Sequence, residues 1–76
     1  MFIRFWKANL VYDDDMTVTR EEDFVFYVSL DAIMMFSDYK LVLKDGRVIN
    51  VMDDIDRIQV KVLNAEDRKW RMLKER

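Results

Sequence analysis

The chain has 76 residues, a formal charge of −2, one glycine, and no cysteine, histidine or proline. At this length it is expected to form one domain over residues 1–76, burying only about 60% of the surface its unfolded form exposes. Disulfides, thiolate or imidazole metal sites and histidine-based acid–base catalysis are excluded, and the small negative charge gives no overall drive toward nucleic acid or an anionic membrane.

Residues 2–12 are rich in aromatic and β-branched side chains. Phe2, Trp6, Ala8, Leu10 and Tyr12 fall on one face at period two, and Ile3, Phe5 and Val11 on the other, which predicts a first strand. A helix is the rival, since Ile3, Trp6 and Leu10 also fit a helical stripe. Arg4, Lys7 and Asn9 interrupt the apolar run and no small-residue cleavage site follows, so no signal peptide is expected. No apolar run reaches the roughly 20 residues of a membrane helix. The expected location is cytoplasmic, without membrane contact.

Asp13-Asp14-Asp15 suits a solvated turn, because adjacent carboxylates repel in a packed strand. Residues 16–19 predict a short edge strand, residues 20–23 a charged connection, and residues 24–28 a strand apolar at every position. Residues 32–36 are another run apolar on both faces, read as a strand; one helical turn from Ser29 is the alternative, since serine is a good N-cap. Residues 39–44 and 47–52 flank Asp45-Gly46 and predict a hairpin whose glycine takes positive φ at no steric cost. Leu41 and Leu43 then point one way.

Leu30-Asp31-Ala32-Ile33-Met34-Met35 is echoed by Ile55-Asp56-Arg57-Ile58-Gln59-Val60. The shared pattern suggests that each aspartate turns the chain into a strand. Residues 57–63 alternate and predict a last strand, with Ile58, Val60 and Val62 inward. Asn64 reads as an N-cap, with Glu66 and Asp67 in a first turn and Lys69, Arg71, Lys74 and Arg76 later, as a helix dipole favours. A short helix over residues 64–75 would dock through Trp70 and Leu73. The expected fold is therefore mainly β (α+β): a small antiparallel sheet or partly closed barrel of five or six strands with one C-terminal helix.

The acidic clusters at residues 13–15 and 53–56 lack the spacing of a calcium loop. The few serine and threonine hydroxyls have no histidine to activate them, and no glycine-rich phosphate loop is present. No catalytic residue, metal site or cofactor is expected, and the chain is not read as an enzyme.

Two runs that are apolar on both faces exceed what one short helix can cover. This predicts a non-catalytic protein-binding module that associates with itself as a dimer or higher oligomer. A small inhibitor or accessory protein, of the kind phages and other mobile elements encode, is the concrete version. Its interface is expected on Phe24, Phe26, Met34, Met35 and Phe36, with Asp13, Asp14 and Asp15 as a second, charged contact for a protein partner. The alternative is a small nucleic-acid-binding protein using Arg68, Lys69, Trp70, Arg71 and Lys74 on the basic helix.

Overall fold

Alternation in the first segment does produce a strand, and its buried residues are Ile3, Phe5 and Ala8. The computed structural model describes residues 1–74. In chain order it contains β1 (Phe2–Tyr12), β2 (Val18–Ser29), one 3₁₀ turn (Leu30–Ala32), β3 (Ile33–Ser37), β4 (Lys40–Leu43), β5 (Val48–Asn50) and α1 (Ile55–Lys74). The fold is mainly β: a two-stranded antiparallel sheet, β1-β2, a three-stranded antiparallel sheet, β3-β4-β5, and the C-terminal helix. A Lys7–Val51 bridge and a bond from the Met52 amide to the Trp6 carbonyl (3.1 Å) join the two sheets.

The sheets do not close into a barrel of five or six strands. β1 and β2 run on past the body as a two-stranded arm, and every residue from Asn9 to Phe24 is exposed except half-buried Leu10. The molecule is accordingly 57 × 22 × 19 Å. Residues 16–19 and 24–28 are not separate strands. They belong to one β2 that continues through Arg20, Glu21, Glu22 and Asp23. A charged run is tolerated there because both faces of the arm meet water. The register slips once, where Asp23 and Phe24 face Lys7. Lys7 holds this bulge, with its ammonium 3.5 Å from Asp23 and 5.2 Å from the centre of the Phe24 ring.

The expected strand over residues 57–63 is helix instead, and α1 starts at Ile55 rather than at Asn64. Asp54 supplies the reason. Its carboxylate accepts the Arg57 amide (2.9 Å) and its carbonyl accepts the Ile58 amide (3.0 Å), as an N-cap does. Asp38, from the β3–β4 turn, accepts the Ile55 amide at 2.8 Å. Two carboxylates thus satisfy amides that a helix start leaves free, where the dipole also favours negative charge. Once helical, Ile58 and Ala65 are buried and Val62 packs beside them, while Val60 turns outward. The expected last residue, Glu75, and Arg76 lie outside the described residues.

The two Asp-containing echoes share a role other than the one expected. Asp31 and Asp56 each stand in the first turn of a helical segment, one a 3₁₀ turn and one α1. Only the first leads into a strand. Ser29 sits at the cap position of the 3₁₀ turn without a side-chain bond.

The core is small. Ile3, Phe5, Val28, Leu41, Leu43, Val51, Ile58 and Ala65 are buried together, and Phe26, Leu30, Ile33, Phe36, Ile49 and Val62 pack around them. Leu41 and Leu43 share the buried face of β4, as the hairpin pattern predicts. One polar tie crosses this core. Lys61 donates to the Arg4 carbonyl (3.0 Å), pairs with the buried Asp53 carboxylate and lies 4.7 Å from the centre of the Phe5 ring. Its contact with Asp53 Oδ2 lacks the angle of a hydrogen bond, so that attraction is one of charge.

Candidate functional site

A concavity lies between β3 and α1. Its volume is about 670 Å³, and its walls are Ile33, Met34, Met35 and Phe36 on the strand and Trp70 and Leu73 on the helix. β3 reaches this groove because it is an outer strand of its sheet. Among the described residues, nothing pairs with the backbone along its far side. Glu66, Lys69, Trp70 and Leu73 reach it because residues three, four and seven apart share a helix face. Met34 is 57% exposed, Met35 55% and Trp70 64%.

The groove is rimmed by Asp31, Lys44, Glu66 and Lys69. Lys69 donates to Asp31 at 2.9 Å. This bond and the ammonium charge hold the Asp31 carboxyl below the usual carboxylate range. The rim therefore carries both signs of charge around an apolar floor.

The other expected interface residues are placed differently. Phe26 packs on the core, its ring stacked on Phe5 at 6.0 Å between centroids. Phe36 is half-buried and contributes one side to the groove. Phe24 lies on the arm beneath Lys7 and does not line the groove. Asp13, Asp14 and Asp15 form the tip of the arm. There the Asp13 amide donates to the Thr17 carbonyl and the Met16 amide to the Asp13 carbonyl, both at 2.9 Å. The Thr17 side chain and amide hold Asp15 below the usual range. Met16, with φ 65°, is 85% exposed at this tip.

The basic helical residues do not form one stripe, because successive helix positions turn by about 100°. Lys69 and Trp70 face the groove. Arg71 pairs with Asp67 at 3.1 Å. Arg68 faces a second, smaller cleft of about 340 Å³. That cleft brings Arg68, Lys61 and Asn64 of α1 against Phe2 and Arg4 of β1 and Tyr27 of β2. Sequence reasoning missed it because Phe2 and Tyr27 were counted only as strand formers. The available signal was Phe2 and Arg4 at period two, opposite Tyr27.

Compared with protein-family models, with curated proteins and with solved structures, the chain gives no significant match to any of them.

Proposed function

We propose that this chain is a non-catalytic protein-binding module that associates with a second copy of itself through the β3–α1 groove. The observation that carries the reading is an unguarded edge. β1 and β5 adjoin at the Lys7–Val51 bridge, which leaves β2 and β3 at the two outer edges. Exposed strand edges invite pairing unless charge or a bulge blunts them. β2 carries Arg20, Glu21, Glu22 and Asp23 and bulges at that run. β3 also shifts register once, beside Met34, but it has no charged residue and presents two methionines to solvent.

Area and charge favour a second copy as the occupant. A compact monomer of 9.3 kDa exposes about 5000 Å², whereas this chain exposes 5850 Å². The surplus is close to the roughly 800 Å² that one partner gives to an interface of ordinary size. The rim carries both signs of charge, Lys44 and Glu66 among them, so a second copy can offer it opposite charges. Pairing β3 against β3 satisfies the open backbone edge, while Met34, Met35, Trp70 and Leu73 supply the apolar burial.

Sedimentation or light scattering across a concentration series tests this. The expected mass is twice 9.3 kDa. Met35→Glu should return it to the monomer with an unchanged far-ultraviolet spectrum, and Phe24→Lys on the arm should not. A monomer at every concentration, or a dimer indifferent to Met35→Glu and Trp70→Ala, would rule the proposal out.

A further inference from the structure

The second cleft carries groups that neither the core nor the β3 edge uses. Arg4 and Arg68 are exposed, and neither makes an ion pair with a described residue. Among the described residues, no carboxylate lines the cleft. Lys61 at its floor is occupied by Asp53 and the Arg4 carbonyl. Phe2 is 70% exposed and Tyr27 66%. None of the cations that lie over aromatic rings among the described residues lies over Phe2 or Tyr27. The register explains the juxtaposition. Arg4 is paired with Tyr27, Phe2 is two residues before Arg4 on the same side of β1, and α1 brings Arg68 alongside.

We infer that this cleft binds single-stranded nucleic acid, with phosphate on Arg4 and Arg68 and a base stacked on Phe2 or Tyr27. Two free guanidinium groups alone would suit any anion. Two open rings beside them select a ligand that has flat faces as well as negative charge, and splayed nucleotides have both. An acidic protein segment would satisfy the arginines and leave the rings in water. Asn64 adds a neutral donor and acceptor at the same mouth. The site is separate from the β3–α1 groove and does not depend on self-association.

The test uses the full chain and fluorescein-labelled oligothymidylate and oligouridylate, read by anisotropy at rising KCl. Binding is expected to both strands, or to one if the sugar is read, with a salt slope of about −1.4 for two phosphates on a single strand. Arg4→Gln with Arg68→Gln should weaken it at least tenfold. Phe2→Ala and Tyr27→Ala should each weaken it by about fivefold or more. All four side chains are exposed, so the variants should keep the wild-type far-ultraviolet spectrum. Four results would overturn the inference. These are no anisotropy change with either strand, equal binding to the matching duplex, equal binding to a labelled polyglutamate peptide, or binding that survives the arginine pair and is lost with Arg71→Gln and Lys74→Gln. Met35→Glu separates the two sites: it should abolish dimerisation and leave this binding in place.

Discussion

Gly46→Ala should destabilise the fold by about 0.5–1 kcal/mol, through backbone conformation alone. Gly46 follows a turn in which its amide donates to the Leu43 carbonyl while the Leu43 amide donates to the Arg47 carbonyl, both at 2.9 Å. This is a three-residue loop with glycine in the left-handed position, and the residue has φ 91°. An added Cβ meets no atom within 4 Å, so no clash contributes. A non-glycine residue in that region costs about 1–2 kcal/mol, and alanine restores roughly 0.4–1 kcal/mol by restricting the unfolded chain. The arm tip supplies an internal reference. Asp13 to Thr17 repeats the same hydrogen bonds, Asp15 accepts the Thr17 amide (3.1 Å) as Asp45 accepts the Arg47 amide (3.0 Å), and Met16 stands where Gly46 stands, with φ 65°. Met16→Gly should therefore raise stability where Gly46→Ala lowers it. Urea denaturation should show the midpoint falling for Gly46→Ala at constant slope, with Tm lower by roughly 4 °C. Because the arm is solvated on both faces, the Met16→Gly gain should register in amide-exchange protection at Thr17 more than in the global midpoint. A neutral or stabilising Gly46→Ala would refute the reasoning.

Lys61→Met should cost about 2–3 kcal/mol in urea unfolding, less than a fully buried pair because Lys61 is partly exposed. Adding Asp53→Asn should recover part of that loss, and an unaffected single variant would show that the pair contributes nothing. Acid should weaken the fold gradually. Asp15, Asp31 and Asp45 have lowered folded pKa values, so the stability they confer is present above the unfolded value near 4 and disappears as pH falls through the folded ones. Urea midpoints should hold from neutral pH to about pH 5 and fall below pH 4, and a transition centred near neutrality would contradict this, since no histidine is present to titrate there.

The hairpin around Gly46 was legible because turn chemistry and alternation agreed. Helix α1 was half legible because they competed. In residues 57–62 the odd positions Arg57, Gln59 and Lys61 are polar and the even ones apolar, which is a strand pattern. The same residues place Ile58, Val62 and Ala65 at helical spacing. What decides between the two is Asp54, a cap three residues ahead of Arg57, together with a second carboxylate from Asp38 in a distant turn. The first signal was readable and outweighed by alternation; the second is tertiary. The arm was illegible for a related reason. Its charged run resembles a loop, and only a long partner strand makes it a ladder. The exposed methionines of the groove were identifiable from two-sided apolarity. Their meeting with Trp70 depends on the length of α1, and so was not.

Most of the aspartates have local structural work. Asp15 and Asp45 close turns, Asp38 and Asp54 satisfy the start of α1, and Asp53 is paired with Lys61. Asp31, Asp23 and Asp67 pair with Lys69, Lys7 and Arg71. The acidic composition is thus largely absorbed by backbone amides and by lysines and arginines already in the fold. That absorption is what makes Arg4 and Arg68 informative. In a chain where acids outnumber bases by 15 to 13, two arginines facing one cleft with no carboxylate among the described residues of its walls are not a consequence of composition. Most of the aspartates are held elsewhere by caps, turns and ion pairs, which leaves a basic aromatic pocket on a molecule whose net charge gives no hint of it.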